Sequence, residues 1–401
     1  MDFSKSAVRG SLALFYLLIG LEIIIMITPF AAYYYGAYGP LLNFLYRYSA
    51  TAWLTGFFLP HAVVSKSGLL NVINGLGQSL FSLGIIAFLI GAVQVYYAKF
   101  RGRGLVTGFL YRWIRHPQYL FLAMAGLGLL LFWPRFFILI LYITMLFVYY
   151  LLAKHEEGEM IARHGDEYRS YLGRTAMFIP GEPGGKLFRL LFGWLPSPGK
   201  ALAVGYGAAL TSAILIAFGL RSYTISKTAT LNVPERQTRV ISVLPGYEGS
   251  LAGILKAAYE DSTIDATLKA FQREGHKGFL VHVMPRHYMM EGLFVEPAGL
   301  RGRESTGRFL RRVVRFVFPF LGRSHHGRMM AANAATGEVR LVFSQLTWPN
   351  GEYATFEKAL AFRVKRLPFL RADVDPAGRV VRNVERTSMR NYWGQMPMPP
   401  F

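Results

Sequence analysis

With 401 residues, 53% of them hydrophobic and 15% aromatic, the chain is too apolar for an ordinary soluble domain and too long for one compact unit. It has no cysteine, which excludes a disulfide framework, a thiolate zinc site, a cysteine nucleophile and prenyl or palmitoyl anchors. Its net charge of +21 is positive in both halves; in a membrane protein such charge sets topology and meets anionic lipid, and no nucleic-acid recognition motif accompanies it.

In chain order, Ser11 to Tyr38 is an apolar run that is too long for a signal peptide and predicts a transmembrane helix, with Glu22 turned towards the bundle interior. Pro40 to Pro60 is apolar but diluted by Asn43, Arg47, Tyr48 and Thr51, so a crossing and an interfacial segment both stay open. Leu69 to Tyr97 predicts a clear span, followed by the positive cluster Lys99, Arg101 and Arg103, which belongs on the cytoplasmic side. Leu120 to Ala153 is apolar apart from Arg135 and is broken by Pro134, which predicts two membrane helices joined by a tight turn.

Such a hairpin returns its ends to one membrane face. It therefore brings together two polar runs, Arg115-His116-Pro117-Gln118-Tyr119 and His155 to Thr175, and the basic residues around them place both in the cytoplasm. Pro117 can open a helix at its first turn, leaving N–H groups for an anionic ligand group. Glu156, Glu157 and Glu159 offer negative charge for an ammonium, a sulfonium or ribose hydroxyls, so the two ends together suit a ligand of mixed charge. The alternative reading of both runs is a solvated flank of a membrane helix. His155, Glu159 and His164 fit neither HExxH nor ExxH spacing, and no metal site is expected.

Beyond Ile179-Pro180, the Gly- and Pro-rich stretch from Gly181 to Gly199 holds a short apolar piece, Leu187 to Leu195, suited to the membrane surface. Ala201 to Leu220 predicts a further span, which places everything after Arg221 on the opposite side if it crosses fully. From Ser222 the pattern is that of an α+β domain. Strands are expected at Arg239 to Leu244, Phe279 to Met284, Val339 to Leu346 and Ala359 to Val364, and helices at Ser250 to Glu260 and Ser262 to Arg273. Arg308, Arg311, Arg312 and Arg315 form the basic face of an amphipathic helix, suited to anionic lipid or to core packing. His276, His282, His287, His325 and His326 are scattered and read as surface or packing residues.

The expected architecture is an α-helical membrane bundle of about five or six transmembrane helices over residues 1–198, an additional helix at 199–221, and a soluble α+β domain over 222–401.

The ordered set Arg115-His116-Pro117-Gln118-Tyr119, the hairpin, Glu156-Glu157, His164-Gly165-Asp166-Glu167-Tyr168, Tyr171, Arg174-Thr175 and Ile179-Pro180 resembles the catalytic segment of the isoprenylcysteine carboxyl methyltransferase and phospholipid methyltransferase superfamily. The likeness covers about Gly104 to Pro180, and it departs from the family pattern at Phe121, where a glycine is usual. The resemblance implies an S-adenosylmethionine-dependent methyltransferase whose lipophilic acceptor enters from the bilayer. It assigns His116, Tyr119, Leu120, Glu156, Glu157, Tyr168, Tyr171 and Arg174 to the cofactor, with Arg115 orienting the acceptor or the cofactor carboxylate and Glu156 available as a base. Two other readings compete: an NADPH-dependent reductase of the sterol-reductase type, which shares an RHP-like run but has more spans, and a non-catalytic membrane scaffold.

Overall fold

The computed structural model describes residues 40–61, 65–101, 105–243, 249–286, 338–375 and 380–386, with positions 314 and 377. The expected helix at Ser11 to Tyr38, the Arg308 to Arg315 helix, and His287, His325 and His326 lie outside the described residues. The chain divides into two compact units, one holding residues 80–130 and 137–214, the other 40–79, 131–136 and 215 onward.

The helices, in order, are α1 (Pro40–Arg47), α2 (Gly68–Phe100), α3 (Pro117–Phe132), α4 (Phe136–Arg174), α5 (Pro183–Phe192) and α6 (Pro198–Ser226). Among the described residues, α2, α4 and α6 are long and apolar enough to cross a membrane, and α3 is a shorter apolar helix. The five or six crossings expected from the sequence include Ser11 to Tyr38, which lies outside the described residues. Pro40 to Pro60 forms only the eight-residue α1 and a 3-10 turn at Ala52–Thr55, so it makes no continuous span.

The hairpin forms as Pro134 dictates, with α3 ending at Phe132 and α4 beginning at Phe136. Within the first unit, α2 and α3 meet at backbone distance at Gly84, where a Cβ would lie 2.6 Å from Ala125 N and 2.8 Å from the Phe121 carbonyl oxygen. Close approach opposite Phe121 is thus supplied by a glycine on the facing helix. α4 is not one straight rod: Gly165 breaks it with φ +53° and ψ −124°, a backbone geometry that excludes L side chains with a Cβ. The polar tail after Gly165 can therefore leave the line of the span.

The second unit carries a six-stranded sheet in the order β1 (Thr230–Val233), β2 (Thr238–Ser242), β3 (Phe279–Pro285), β4 (Val339–Thr347), β5 (Lys365–Asp375), β6 (Val380–Arg386). All neighbours are antiparallel except β2 and β3, which α7 (Leu251–Glu260) and α8 (Ser262–Arg273) connect as a crossover. Asp261 caps α8, accepting from Thr263 N at 2.9 Å and Ile264 N at 3.0 Å. Phe279, Val281 and Val283 point to the face covered by these helices, with Ile254, Leu268, Leu341 and Phe343. Leu280 points to the other face, covered by Ala354, Ala359, Leu360 and Val364.

The last of these are a correction. Ala359 to Val364 is not a strand; it is a turn whose apolar residues cap the sheet, and the ladder begins at Lys365. A short buried apolar run has the same composition in either role, and the position of the sheet decided between them. The α+β class stands, and β5 and β6 complete it.

Candidate active site

The site is built at the open end of the α3–α4 hairpin, within the first unit. Its frame is a backbone clasp: Arg115 N donates to Ala176 O at 2.9 Å, His116 N to Met177 O at 3.1 Å, and Ala176 N to Trp113 O at 3.1 Å. The residues before Pro117 are thereby tied to the stretch that follows α4. Pro117 then opens α3, where its missing N–H leaves no intrahelical bond unmade.

Arg115 is the staple of this frame. Its Nε donates to Glu157 Oε1 at 2.7 Å, its Nη1 to the carbonyls of Leu172 (3.2 Å) and Thr175, and its Nη2 lies 3.5 Å from Glu182 Oε1. The side chain is only 7% exposed. Glu157 is buried as well, and its other oxygen accepts from Lys154 Nζ at 3.0 Å. Removing Arg115 would leave the buried Glu157 hydrogen-bonded to Lys154 alone, and breaking a buried pair costs up to roughly 3–5 kcal/mol.

Glu156 faces the other way. Its side chain is 45% exposed, one oxygen accepts from the Tyr119 hydroxyl, and the other stands 3.3 Å from His116 Nδ1. Tyr119 stacks on Tyr149 with ring centroids 4.8 Å apart, and His116 lies against Tyr119 and Phe178. His116 is buried, and its Nε2 lacks a hydrogen bond within the described structure; the nearest charge is Glu157 Oε1 at 3.7 Å. Burial alone pushes the His116 imidazole down, but the Glu156 and Glu157 carboxylates outweigh it and hold the pKa above the ordinary value.

Tyr168 and Tyr171 are buried with ring centroids 5.7 Å apart, and Tyr171 donates its hydroxyl to the Tyr111 carbonyl, which ties the end of α4 to the segment before RHPQY. Leu120 is partly buried, and Arg174 is exposed at the end of α4. The structure thus brings Arg115, His116, Tyr119, Glu156 and Glu157 into one cluster, buries Tyr168 and Tyr171 near it, and leaves Arg174 exposed at the end of α4. Among the described residues no group of three or more His, Asp or Glu side chains is arranged to hold a metal ion.

Residues 68–166 match the phospholipid methyltransferase family model. The match begins at the first residue of α2 and ends just past the Gly165 kink, so it takes in the hairpin, the RHPQY run and both glutamates, and supports a membrane methyltransferase. The phospholipid methyltransferase family belongs to the superfamily that the sequence motifs resemble. No curated protein and no solved structure matches the chain.

Among the contributors with no place among the expected site residues are Tyr149, Lys154, Thr175, Phe178 and Glu182. Tyr149 stands two helical turns before Glu156, so helical period alone could have found it. Glu182 accepts from Met177 N at 2.9 Å and reaches Arg115 from beyond the closing proline, a contact that carries no sequence signal.

Proposed function

We propose that this protein transfers the methyl group of S-adenosylmethionine to a lipophilic acceptor held in the bilayer, at the cytoplasmic end of the α3–α4 hairpin. The observation that carries the reading is the division of labour between adjacent glutamates, Glu157 locked by Arg115 and Lys154 and Glu156 half-exposed beside His116, within the stretch that matches the family.

The donor set fits such a cofactor. A carboxylate with open valences at Glu156 and an orphaned, buried His116 Nε2 are what an amino-acid moiety or a ribose hydroxyl would satisfy. Glu156, His116 and Tyr119 would hold it, with Leu120 against its apolar part, Tyr168 and Tyr171 closing the pocket and Arg174 at the rim. When bound, S-adenosylmethionine supplies a methyl group already activated on a sulfonium centre. The chain's own work is to position and to exclude water, which contributes most to such a displacement. Arg115 and Glu157 fix the angle of the RHPQY run. For an acceptor that must lose a proton, such as an amine, Glu156 is the base within reach of the mouth. A carboxylate or thiolate acceptor needs none.

The test is incubation of the purified protein with labelled S-adenosylmethionine and a membrane lipid extract, with titration of the cofactor by calorimetry. Labelled lipid is expected, with binding lost in Glu156→Gln and His116→Ala. Binding of NADPH, with no response to S-adenosylmethionine or its demethylated product, would overturn the proposal in favour of a reductase.

A further inference from the structure

Among the described residues, nothing covers one face of the helix that follows the site. α5 runs from Pro183 to Phe192, and none of its residues is buried. Leu187, Leu190, Leu191 and Trp194 are 56%, 80%, 51% and 75% exposed and stand at i, i+3, i+4 and i+7, a single apolar stripe. A second arc holds the helix to its own unit: Phe188 packs where a Cβ on Gly205 of α6 would come within 2.6 Å of its ring, and Phe188 and Phe192 lie 5.1 Å apart. The third arc carries Lys186 and Arg189, both exposed.

Three observations say what covers the stripe. Ten residues of helix reach about 15 Å, half of what a crossing needs, so α5 cannot span. It is joined at Pro198 to α6, a candidate span, which keeps it at the membrane boundary. From Pro183 to Lys200 the charged residues are Lys186, Arg189 and Lys200, all basic, and an exposed tryptophan ends the stripe. An apolar stripe flanked by cations and closed by tryptophan suits the headgroup layer of an anionic leaflet.

We propose that α5 lies in the plane of the membrane surface, with Leu187, Leu190, Leu191 and Trp194 in the headgroup–acyl boundary and Lys186 and Arg189 on anionic phospholipid headgroups. The inference rests on the membrane placement of the chain and not on methyl transfer, so it survives if the proposed reaction fails. It also gives the site a depth. Glu182, the residue before α5, accepts from Met177 N and approaches Arg115, so a helix anchored in the headgroups holds the frame of the site at that level.

Because the chain has no cysteine, one introduced cysteine is a unique label site. Leu190→Cys, and Arg169→Cys on the exposed tail of α4 as control, are labelled with an environment-sensitive fluorophore. Each full-length protein is reconstituted in vesicles of phosphatidylcholine with and without phosphatidylserine. Expected is blue-shifted emission at position 190, quenched by doxyl lipid labelled near the headgroup and shielded from aqueous iodide, with position 169 showing the reverse. Lys186→Gln and Arg189→Gln should each lower the docked fraction's equilibrium about fivefold in anionic vesicles and leave neutral vesicles unchanged. Iodide quenching at 190 equal to that at 169 would overturn the proposal. So would a blue-shifted label that doxyl lipid fails to quench, which would mean that protein covers the stripe, or docking that ignores phosphatidylserine.

Discussion

His116 at the hairpin and His282 in the sheet are both 6% exposed, and the two regions treat them in opposite ways. His116 sits beside two carboxylates, which raise its pKa above the ordinary value despite burial. His282 is enclosed by the apolar core of the sheet, and burial, helped by the charge of Arg366, lowers its pKa to about 4. Burial penalises a charged imidazole everywhere; only the neighbours decide whether it is charged. The hairpin end is therefore a place built to hold charge. Around His282 the sheet excludes it, although Asp373 of β5 is buried as the ion-pair partner of Arg340.

The hardest way to break that contrast is to remove the staple. Arg115→Ala should destabilise the first unit by up to roughly 3–5 kcal/mol, seen as a lowered unfolding midpoint in detergent, with loss of methyl transfer. An unchanged midpoint would mean that Lys154 alone suffices to hold Glu157.

Acid should act on the two histidines with opposite sign. His282 has a folded pKa of about 4 against an ordinary 6.5, so the unfolded chain binds more protons between these values and the sheet loses stability as pH falls through them, by about 3 kcal/mol in all. His116 has a raised folded pKa, so its contribution is full below 6.5 and is lost as pH rises through the raised value. Hydrogen exchange of β3 and of α3 across this range, corrected for intrinsic rates, checks both signs. In His282→Leu the acid sensitivity of β3 should shrink.

A smaller effect separates the two kinds of packing. Gly84→Ala drives a Cβ into the backbone of α3 and should cost roughly 1–3 kcal/mol, read as a lower midpoint for the first unit with the sheet unaffected. The sheet's counterpart, Asp261→Ala, removes the cap of α8 at a cost of about 1 kcal/mol, measurable as faster exchange of the Thr263 and Ile264 amides.

Much of this was legible in the order of residues. Pro134 inside an apolar run foretold the hairpin, and the hairpin foretold that Arg115-His116 and Glu156-Glu157 would meet, because an antiparallel pair of helices brings the start of the first back beside the second. Apolar length marked α2, α4 and α6 as helices able to cross a membrane, and β-branched runs marked β2, β3 and β4. Less legible was β5, where Lys365, Arg366 and Pro368 hide a strand whose inward residues are Phe369, Leu370 and Ala372. β6, with exposed residues along most of its length, has no buried face to announce it.

What the sequence alone determined was set by local physics: an unbroken apolar run of about 20 residues satisfies its backbone in lipid as a helix, and a proline ends one. Which of two neighbouring glutamates is locked and which is open could come only from the tertiary structure, because Glu156 and Glu157 are the same residue one position apart. The helix turns them about 100° from one another. One meets Arg115 and Lys154 in the interior, and the other meets Tyr119, His116 and the solvent-facing mouth.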